Sequence, residues 1–398
     1  MSRRVKSMAI PTRPGRTEPR VAIVHYWLVS MRGGEKVLEE MLRIYPQAEI
    51  FTHVVDRERM SPGILAHPIT ETFVGRLPGA KRHYQKYLGL MPRALEELDL
   101  RDFDLILSSE SGPAKGVIGA PGSLHVCYAH SPMRYIWDHY PIYRERTSGL
   151  ARAYFARTAH RLRAWDVTTA ARVDRFVANS RFIADRIHRL YNRDADVVHP
   201  PVDLGAYRLP DPGGPRDHYL FVSQLVRYKR ADLVIQAFRG LPHRLLVVGE
   251  GAERKALERD LPPNVTLLGR ARAEDLPGLY QRAKALIFPA EEDFGIVPLE
   301  AMACGTPVLA YGRGGVLDSV IDGRTGLFFP EQSAAAIRAA VERFEAGEGV
   351  FDPQAIARQA QRFGPDRFRR DFAAAVERAA EELARRQAAR HTGSIGVT

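Results

Sequence analysis

Cysteine is scarce in this chain. Its 398 residues include only Cys127 and Cys304, too few for a disulfide framework or for a metal site made of cysteine alone. Cys127 lies in a strand-like run and Cys304 near a predicted helix end, so we expect both to be small core residues. This cysteine usage is typical of a reducing compartment, and it predicts a cytoplasmic protein.

Long hydrophobic runs are also missing. No apolar stretch reaches the roughly 20 residues that a membrane-spanning helix needs. Residues 1–20 contain arginine and proline but not the apolar segment of a secretory signal, and we expect them to form a disordered basic tail. With 45% hydrophobic and 26% charged residues, the composition is that of a globular protein, and the length indicates two domains.

Acidic residues are outnumbered by basic ones. The 58 lysines and arginines exceed the 47 aspartates and glutamates, which gives a net charge of +11. A basic surface favours anionic partners such as nucleotide diphosphates, phospholipid headgroups or nucleic acid. An arginine-rich composition with solvated charge explains the same bias equally well. No segment resembles a module that reads RNA or DNA, so we expect no nucleic-acid partner.

The motifs of common metal and cofactor sites are absent from the sequence, including H-E-x-x-H, the P-loop and zinc-spaced Cys/His sets. Asp194 and Asp196 form a D-x-D that leads into a strand rather than out of one, which disfavours a metal–diphosphate site. Gly249 and Gly251 begin a G-x-G-x-x-G pattern, but Arg254 occupies its third glycine position. We interpret these glycines as a tight strand-to-helix turn near a nucleoside and expect no NAD, metal or other cofactor.

What the sequence does contain is a recurring pattern of short apolar runs, each followed by a helical stretch. Examples are VAIVHYW, DLILSSES and LHVCYAH in the first half, and HYLFVSQL, RLLVVGEG and KALIFPA in the second. Such runs are typical of parallel strands buried on both faces. They predict an α/β fold with two doubly wound, Rossmann-like domains at 21–200 and 219–365. A Pro/Gly-rich linker is expected at 201–218, and a C-terminal helix at 366–390 is expected to pack back toward the first domain.

The loop after KALIFPA contains the principal candidate site. Gly295 ends this loop and a helix is predicted to begin near Ile296, so the free amides of Gly295, Ile296 and Val297 would form an anion site at its positive end. Glu292 precedes this helix and Glu300 lies one turn inside it. Carboxylates beside a bound anion suit hydroxyl pairs, and an anion flanked by two diols describes a nucleotide sugar. The alternative is an acidic first turn that stabilises the helix dipole, with Glu300 facing solvent.

The whole string EEDFGIVPLEAMACGTPV, followed by a Gly-Gly loop at 314–315, resembles the retaining GT-B glycosyltransferases of family four. This resemblance implies two Rossmann-like domains that face each other across a cleft. It also implies that Glu292 and the loop from Phe294 onward hold the donor sugar, while Glu300 binds the ribose.

Three cations follow the first strand of the second domain. Lys229 and Arg230 stand at the entry to a predicted helix, with Arg227 nearby, where they could neutralise a departing diphosphate. Many relatives have arginine in the place of Gln224, so Arg227 substitutes for it or Lys229 carries more of the role. The alternative is a basic, solvated loop. With the helix dipole, Lys229 would take the place of a metal ion.

In the first domain, Gly33 and Gly34 precede a predicted helix, where a backbone without side chains can approach a phosphate or an acceptor closely. A plain turn explains them equally well. His130 follows a strand in HSPMRYIWD, and the resemblance implies that it contacts the transferred sugar. This segment is similar to a subset of bacterial polysaccharide mannosyltransferases. That similarity implies GDP-mannose as donor, a lipid-diphosphate-linked acceptor, and a role in exopolysaccharide or O-antigen assembly, with a UDP-sugar as the nearest alternative.

Two segments, 73–98 and 143–165, mix arginine and lysine with aromatic and aliphatic residues. Basic amphipathic segments of this kind suit a membrane interface. Ordinary helices with a solvated basic face explain them equally well. Because the acceptors of relatives are lipid-linked, the resemblance favours peripheral association with the cytoplasmic face of the membrane.

Overall fold

A computed structural model describes residues 10, 12–13, 15–145, 147–210 and 214–393. Within this part the chain divides into two compact units. One comprises the described residues up to Pro200 and from Phe368 onward, and the other is Pro201–Arg367. Each unit is built on one parallel sheet covered by helices, which confirms the prediction of two Rossmann-like α/β domains.

The first unit contains seven strands: β1 (Val21–His25), β2 (Glu49–Thr52), β3 (Ile69–Glu71), β4 (Leu105–Glu110), β5 (Leu124–Ala129), β6 (Arg175–Ala178) and β7 (Ala195–Val197). They form a parallel sheet in the order β3-β2-β1-β4-β5-β6-β7. Its helices are α1 (Gly33–Ile44), α2 (Pro62–Leu65), α3 (Ala80–His83), α4 (Met91–Glu96), α5 (Tyr140–Glu145), α6 (Gly149–Thr169) and α7 (Arg181–Tyr191), with 3₁₀ turns at Arg57–Arg59, Phe73–Arg76, Tyr84–Leu90 and Ala170–Arg172. Every residue of β1, β4 and β5 is buried, as the continuous apolar runs predict.

The second unit contains six strands: β8 (His218–Val222), β9 (Leu245–Val248), β10 (Val265–Gly269), β11 (Ala283–Phe288), β12 (Val308–Tyr311) and β13 (Gly326–Phe329). Their order is β10-β9-β8-β11-β12-β13. Its helices are α8 (Ala231–Phe238), α9 (Arg254–Leu257), α10 (Leu276–Gln281), α11 (Ile296–Ala303), α12 (Val316–Ser319), α13 (Ala334–Glu345) and α14 (Pro353–Gln361), with 3₁₀ turns at Arg227–Lys229 and Glu258–Asp260. A last helix, α15 (Pro365–Gly393), leads from this unit back into the first.

Both sheets reverse their strand order beside the first strand of the unit. In the first unit the reversal lies between β1 and β4, and in the second between β8 and β11. The loops that follow such strands diverge and leave a crevice at the carboxyl ends, where ligands of this fold bind. The loops after β8 and β11 carry the cations and the glutamates singled out in the sequence, and the fold therefore brings them to one place.

The structure differs from the sequence-based expectation for the tail at 1–20. Residues 1–9, 11 and 14 lie outside the described part. Of the rest, Ile10 is buried in the core of the first unit, and Arg20 pairs with Glu49 at 2.6 Å. Arg16 pairs with Asp104 at 3.2 Å. These basic residues pair with acidic residues at the amino ends of β2 and β4. The local composition of the tail did not predict these ion pairs.

The expected linker at 201–218 is also packed where it is described. Val202 is buried in a core cluster of the second unit, and its N–H donates to the carbonyl of Phe363 at 3.0 Å. Arg216 donates to the carbonyls of Ala283, at 2.7 Å, and Gly305, at 3.0 Å. Proline and glycine mark this stretch as irregular, but its few apolar and arginine side chains attach it to the second unit.

Helix α15 supplies part of the core of the first unit. Phe368 and Phe372 pack edge-on against Tyr128 of β5, with ring centroids 5.7 and 5.9 Å away. Further along, Val376 and Ala379 belong to the same cluster of buried residues. The sheet of the first unit is thus covered on one side by chain that lies beyond the second unit in sequence.

None of the described helices is both long enough and apolar enough to cross a membrane. In the two basic segments, Met91 and Leu162 are buried in the first unit and cannot contact a bilayer. Leu90, Leu150 and Tyr154 remain exposed.

Both cysteines are buried, as expected, and burial raises the pKa of Cys304 to about 12.

Candidate functional site

Helix α11 begins at the carboxyl edge of the second sheet without a side-chain cap. Gly295 precedes it with φ of +91°, a conformation that glycine adopts without strain, and a Cβ there would lie 3.2 Å from the Phe288 ring. No acceptor in the described chain takes a hydrogen bond from the amides of Gly295, Ile296 or Val297. These three donors stand at the positive end of the helix dipole, and the arrangement can bind an anion.

The other end of α11 is fixed by a Schellman motif. Gly305 has φ of +69°, its N–H donates to the Met302 carbonyl at 2.8 Å, and the Thr306 N–H donates to Ala301 at 3.0 Å. The helix is therefore held to eight residues, with its N-terminus at the strand edge.

Glu292 forms an ion pair with Lys229. The Lys229 ammonium donates to Oε1 of Glu292, and the two side chains are only 13% and 22% exposed. Because β8 and β11 are neighbours in the sheet, the loops that follow them border the same crevice, and this ion pair spans it. A cation, a carboxylate and free amides thus lie within one loop cluster of the second unit.

A glycine pair supports the loop that carries Glu292. The Gly315 N–H donates to the Glu292 carbonyl at 2.8 Å. A Cβ on Gly314 would lie 2.6 Å from that same carbonyl oxygen, and one on Gly315 would overlap the backbone of Asp293 and Phe294. Only residues without side chains allow this backbone-on-backbone packing.

Glu300 lies beside two tyrosine hydroxyls. Tyr280, which is fully buried, donates to its Oε2 at 2.8 Å, and the hydroxyl of Tyr207 lies near the same carboxylate. Burial raises the pKa of Glu300, while the two hydroxyls oppose the rise by stabilising the charged form. The carboxylate is half-buried, so the alternative of a solvent-facing Glu300 does not describe this structure.

The remaining candidates of the second unit take different positions. Arg230 has φ of +58° and forms a two-bonded pair with Asp232 at 3.0 and 3.1 Å, on its own helix. Arg227 is exposed and has no ion-pair partner in the described chain. The ring of Phe294 packs in the core against Phe363, so only its backbone can face a ligand. Of the three cations, the structure brings Lys229 alone to Glu292.

Gly249 and Gly251 bring the turn after β9 against the loop after β8. A Cβ on either would overlap a backbone carbonyl, that of Ser223 for Gly249 and that of Leu225 for Gly251. The Leu225 N–H also donates to the Glu250 carbonyl at 2.8 Å. These glycines therefore shape the loop that leads to Lys229.

In the first unit, His130 belongs to a chain of hydrogen bonds. Its Nε2 lies 2.8 Å from Oγ of Ser109, and the same oxygen lies 3.0 Å from Nδ1 of His25. The carboxylate of Glu35 is 3.9 Å from Nε2 of His25 and favours a proton there. In that arrangement Ser109 donates to His25, the His130 Nε2–H donates to Ser109, and Nδ1 of His130 remains an acceptor.

Burial keeps His130 neutral. Desolvation first, and the neighbouring His25 second, lower the pKa of His130 to about 3. Asn179 donates to its backbone carbonyl at 2.8 Å. The strand end after β5 therefore presents an uncharged imidazole in a fixed orientation, which can exchange hydrogen bonds with hydroxyl groups but does not act as a cation near neutral pH.

The chain that follows His130 is anchored to a buried charge network. Trp137 donates to Asp166 of α6 at 2.8 Å. The same carboxylate pairs with Lys115, which also contacts Glu110 at 2.7 Å, and all three charged side chains are buried. This network fixes the segment after His130 against α6.

Gly34 allows α1 to approach the same cluster. A Cβ there would overlap the hydroxyl of Tyr26, whose ring stacks on His25 with centroids 4.2 Å apart and meets His130 edge-on at 6.2 Å. Gly33 is the first residue of α1. His130 and the glycine pair thus lie in the first unit, and the glutamates and Lys229 in the second.

Several residues of these clusters were not singled out in the sequence. His25 and Ser109 stand at the carboxyl ends of β1 and β4, where polar residues ending an apolar strand are a usable signal. Tyr207 and Tyr280 gave no sequence signal, because both lie far from Glu300 in the chain. Tyr207 belongs to an irregular segment and Tyr280 to α10, whereas Glu300 lies on α11.

In the described part of the chain no group of three or more His, Cys, Asp or Glu side chains could hold a metal ion. Asp196 of the D-x-D is paired with Arg175 at 3.0 Å.

Two family models match this chain, one on each unit. Residues 31–206 match Glycosyltransferase Family 4, and residues 213–363 match Glycosyl transferases group 1. The first unit is therefore similar to the family 4 glycosyltransferases, and the second to the group 1 glycosyltransferases. The Glu292–Glu300 string lies within the second match.

Curated relatives match part of the chain. The D-inositol 3-phosphate glycosyltransferase of Mycobacteroides abscessus is 34% identical over 181 residues, which cover 39% of this chain and 41% of the relative. The chain thus spans about two-fifths of the length of the curated relatives it matches.

Solved structures share the fold over most of their length. Anabaena HepE in complex with UDP and glucose has a TM-score of 0.63 at 18% identity, covering 90% of this chain and 99% of that one. The lipopolysaccharide outer core galactosyltransferase WaaB, in its apo form, has a TM-score of 0.63 at 16% identity with the same two coverages. At such identities the likeness establishes the GT-B fold class, with two Rossmann-like domains.

Proposed function

We propose that this protein is a group 1 glycosyltransferase that transfers a hexose from a nucleotide sugar, with retention of anomeric configuration and without a metal ion. The observation that carries the proposal is the Lys229–Glu292 pair beside the uncapped start of α11. A cation and free amides suit a diphosphate, and a neighbouring carboxylate suits the hydroxyls of a sugar.

Donor binding exchanges the partners of Lys229. The diphosphate takes Lys229 and the amides of Ile296 and Val297, and Glu292 is released to accept hydrogen bonds from the sugar hydroxyls. Glu300 accepts from the ribose diol while Tyr280 holds its carboxylate in place. The positive charge that a metal ion supplies in other transferases comes here from Lys229 and the helix dipole.

Transfer breaks the bond between the anomeric carbon and the leaving phosphate oxygen, and forms a bond from the acceptor oxygen to that carbon. In the front-face displacement that we propose, both changes occur on one face of the sugar. The hydroxyl proton of the acceptor passes to the leaving phosphate oxygen. Glu292 lies beside the positive charge that develops on the sugar, and neutral His130 orients a hydroxyl through Nδ1.

GDP-mannose is the donor that we propose, on the similarity of HSPMRYIWD to mannosyltransferases. A UDP-sugar is the second candidate, supported by the complex of HepE with UDP and glucose.

The acceptor that we propose is a lipid-diphosphate-linked saccharide. The name of the curated relatives supports a second possibility, a soluble inositol phosphate. Exposed Leu90, Leu150 and Tyr154, in segments rich in arginine and lysine, support docking on the cytoplasmic face of a membrane.

Product analysis tests the proposed reaction. The protein is incubated with GDP-mannose, UDP-glucose or UDP-galactose and a lipid-diphosphate oligosaccharide, and the product is examined by NMR. We expect a new glycosidic linkage with the anomeric configuration of the donor. Inversion would contradict the retaining mechanism, and the absence of transfer or donor hydrolysis from every nucleotide sugar would contradict the proposed function.

Binding of nucleotides tests the donor separately. A nucleotide that binds the native state at 100 times its Kd raises the free energy of unfolding by about 2.7 kcal/mol, so the true base should raise Tm. We expect the larger shift with GDP than with UDP, its persistence in EDTA, and its loss in Lys229→Ala. A larger shift with UDP would reassign the donor, and a shift that EDTA abolishes would contradict metal independence.

A further inference from the structure

The first unit contains a polar cavity of about 540 Å³ that none of the proposed donor contacts uses. Its walls come from the segment between β1 and α1, from the turn after β2, and from α3 with the residue that follows it. The cavity therefore lies at the carboxyl edge of the first sheet, where ligands of this fold bind. Its volume is within the range of pockets that hold small molecules.

The walls of this cavity carry more positive than negative charge. Four of its lining residues are cationic, namely Arg32, Arg59, Lys81 and Arg82, and two are acidic, Asp56 and Glu58. Arg59 is matched by Asp56, at 3.3 Å on the same turn.

The other three cations are available to a ligand. Arg32, Lys81 and Arg82 have no ion-pair partner among the residues that the structure describes, and all three are exposed. Unpaired cations that converge on one concave surface raise the local concentration of anions. Arg32 also immediately precedes α1, so the positive end of that helix dipole adds to the same field.

Hydroxyl groups complete the lining. Ser30 and Tyr84 both border the cavity. Tyr84 is half-buried against Trp27, with ring centroids 4.7 Å apart, and burial raises the pKa of its phenol, so it stays a neutral hydrogen-bond donor. Guanidinium, ammonium and hydroxyl donors around one space are the set that proteins use for phosphate groups.

We propose that this cavity binds the phosphate or diphosphate group of the acceptor. The assignment rests on the proposed transferase function, because it treats the ligand of the first unit as the substrate that receives the sugar. Arg32, Lys81 and Arg82 contact the phosphate oxygens, and the rest of the acceptor extends toward the loop that carries Gly33 and Gly34. The donor contacts lie in the other unit, so the two anionic groups do not compete for the same cations.

Two anionic probes distinguish the two sources of such a group. D-inositol 3-phosphate represents a soluble phosphomonoester, and farnesyl diphosphate represents a lipid-linked diphosphate. Their uncharged counterparts are myo-inositol and farnesol. Binding is measured by calorimetry on the full chain carrying Lys229→Ala, which removes the competing diphosphate contact of the second unit. We expect one anionic probe to bind at least about tenfold more tightly than its counterpart.

Charge-neutralising variants locate the binding. Lys81→Gln and Arg82→Gln should each weaken binding of the preferred probe by at least about tenfold, the loss expected for one hydrogen bond to a charged group. Arg57→Gln is the matched control. It lies on the same 3₁₀ turn as Glu58 and Arg59 and is exposed, but it does not line the cavity. Its affinity for the probe should equal that of the parent.

Three results would overturn the proposal: no binding of either anionic probe, equal binding of the uncharged counterpart, or an equal loss in Arg57→Gln, which would indicate diffuse surface charge. The GDP and UDP thermal shifts, measured on the double variant Lys81→Gln/Arg82→Gln, separate this failure from that of the transferase function. If a nucleotide still raises Tm, only the cavity assignment fails. If no nucleotide raises Tm even in the unmodified chain, the transferase function itself is contradicted. A probe that still binds then marks the cavity as an anion site without an acceptor role.

Discussion

At the scale of single residues, the site of the second unit is organised by exchangeable partners. Lys229 and Glu292 neutralise each other in the free protein, and Glu300 is held by Tyr280. Leaving a partly buried charge without a partner costs several times more free energy than leaving an exposed charge without one. Each side chain therefore has one contact for the empty state and, under our proposal, another for the bound state.

Replacing Glu292 should affect turnover more than donor binding. Glu292→Ala and Glu292→Gln remove the carboxylate beside the developing sugar cation, and they leave Lys229 free for the diphosphate. We expect kcat to fall about 10²- to 10³-fold while the KM for the donor changes little, as measured by steady-state kinetics. The adjacent Glu291→Gln serves as control and should retain activity. Full activity in Glu292→Ala would show that the site has been assigned incorrectly.

Replacing Tyr280 should affect donor binding and its pH dependence. Tyr280→Phe removes a hydroxyl that stabilises the charged form of Glu300, so the pKa of that carboxyl, already raised by burial, rises further. Glu300 then takes up a proton earlier as pH falls, and it loses the capacity to accept from the ribose. We expect the donor KM to increase about three- to tenfold, more at acidic pH, with kcat nearly unchanged.

A buried tyrosine elsewhere in the same unit provides the control for this experiment. Tyr219 also donates to a carboxylate, that of Glu345 at 2.7 Å, but it lies far from α11 in sequence and in a different core cluster. Tyr219→Phe should leave the donor KM unchanged at each pH. Parallel changes in both variants would mean that the effect is general destabilisation.

At the scale of elements, the positions of the site residues follow from close contacts of backbone with backbone. The Gly314–Gly315 loop rests on the strand-to-helix loop that carries Glu292, and the turn with Gly249 and Gly251 rests on the loop that leads to Lys229. Both loops are thereby fixed from behind before any ligand binds. This is the pre-organisation that a charge-stabilising site requires.

A methyl group at Gly315 should separate activity from fold. In Gly315→Ala the new Cβ overlaps the backbone of Asp293, so the Glu292 loop must shift. We expect an activity loss of at least about tenfold and a destabilisation of about 1–3 kcal/mol, measured by kcat/KM and by urea unfolding. Gly278→Ala is the control, since no atom lies within 4 Å of its added Cβ. Unchanged kcat/KM in Gly315→Ala would contradict the supporting role of this loop.

Elements with a strong local signal were predictable from sequence, and tertiary partners were not. The apolar runs identify the strands, and Gly295, Pro298 and Gly305 delimit α11 because each has a backbone preference that acts locally. The contacts of Glu300 with Tyr207 and Tyr280 could not be predicted, since they join segments far apart in sequence. The same holds for Ser109 between two histidines. The segment at 201–218 was predicted to be a linker because proline and glycine dominate its composition. The few side chains that anchor it to the second unit do so through contacts with residues distant in sequence.

At the scale of the whole molecule, the first unit holds several histidines in neutral form. His53 donates through Nε2 to the Pro113 carbonyl, and His125 donates through Nδ1 to the Arg172 carbonyl, each at 3.1 Å. Their other ring nitrogens face hydroxyls, Thr72 at 3.1 Å and Ser108 at 2.9 Å. Burial lowers the pKa of both histidines to about 4.

These histidines should make the first unit sensitive to acid. These histidines take up a proton below about pH 6.5 in the unfolded chain but only below about pH 4 in the folded protein. The free energy of unfolding present at neutral pH is therefore lost progressively as pH falls through this window. At pH 5 each contributes a loss of about 2 kcal/mol. Urea unfolding at pH 7 and pH 5 measures the loss, and His125→Gln should reduce its slope with pH. An equal pH dependence in the variant would contradict this account.

The route of the chain between its two units has a consequence for biosynthesis. Phe368 and Phe372 complete the core beside β5, yet the ribosome makes them only after the entire second unit. During translation the earlier sheet therefore waits with an uncovered apolar face, while the later one already has its full complement of strands and helices. The unit that is synthesised first is the one that finishes folding last.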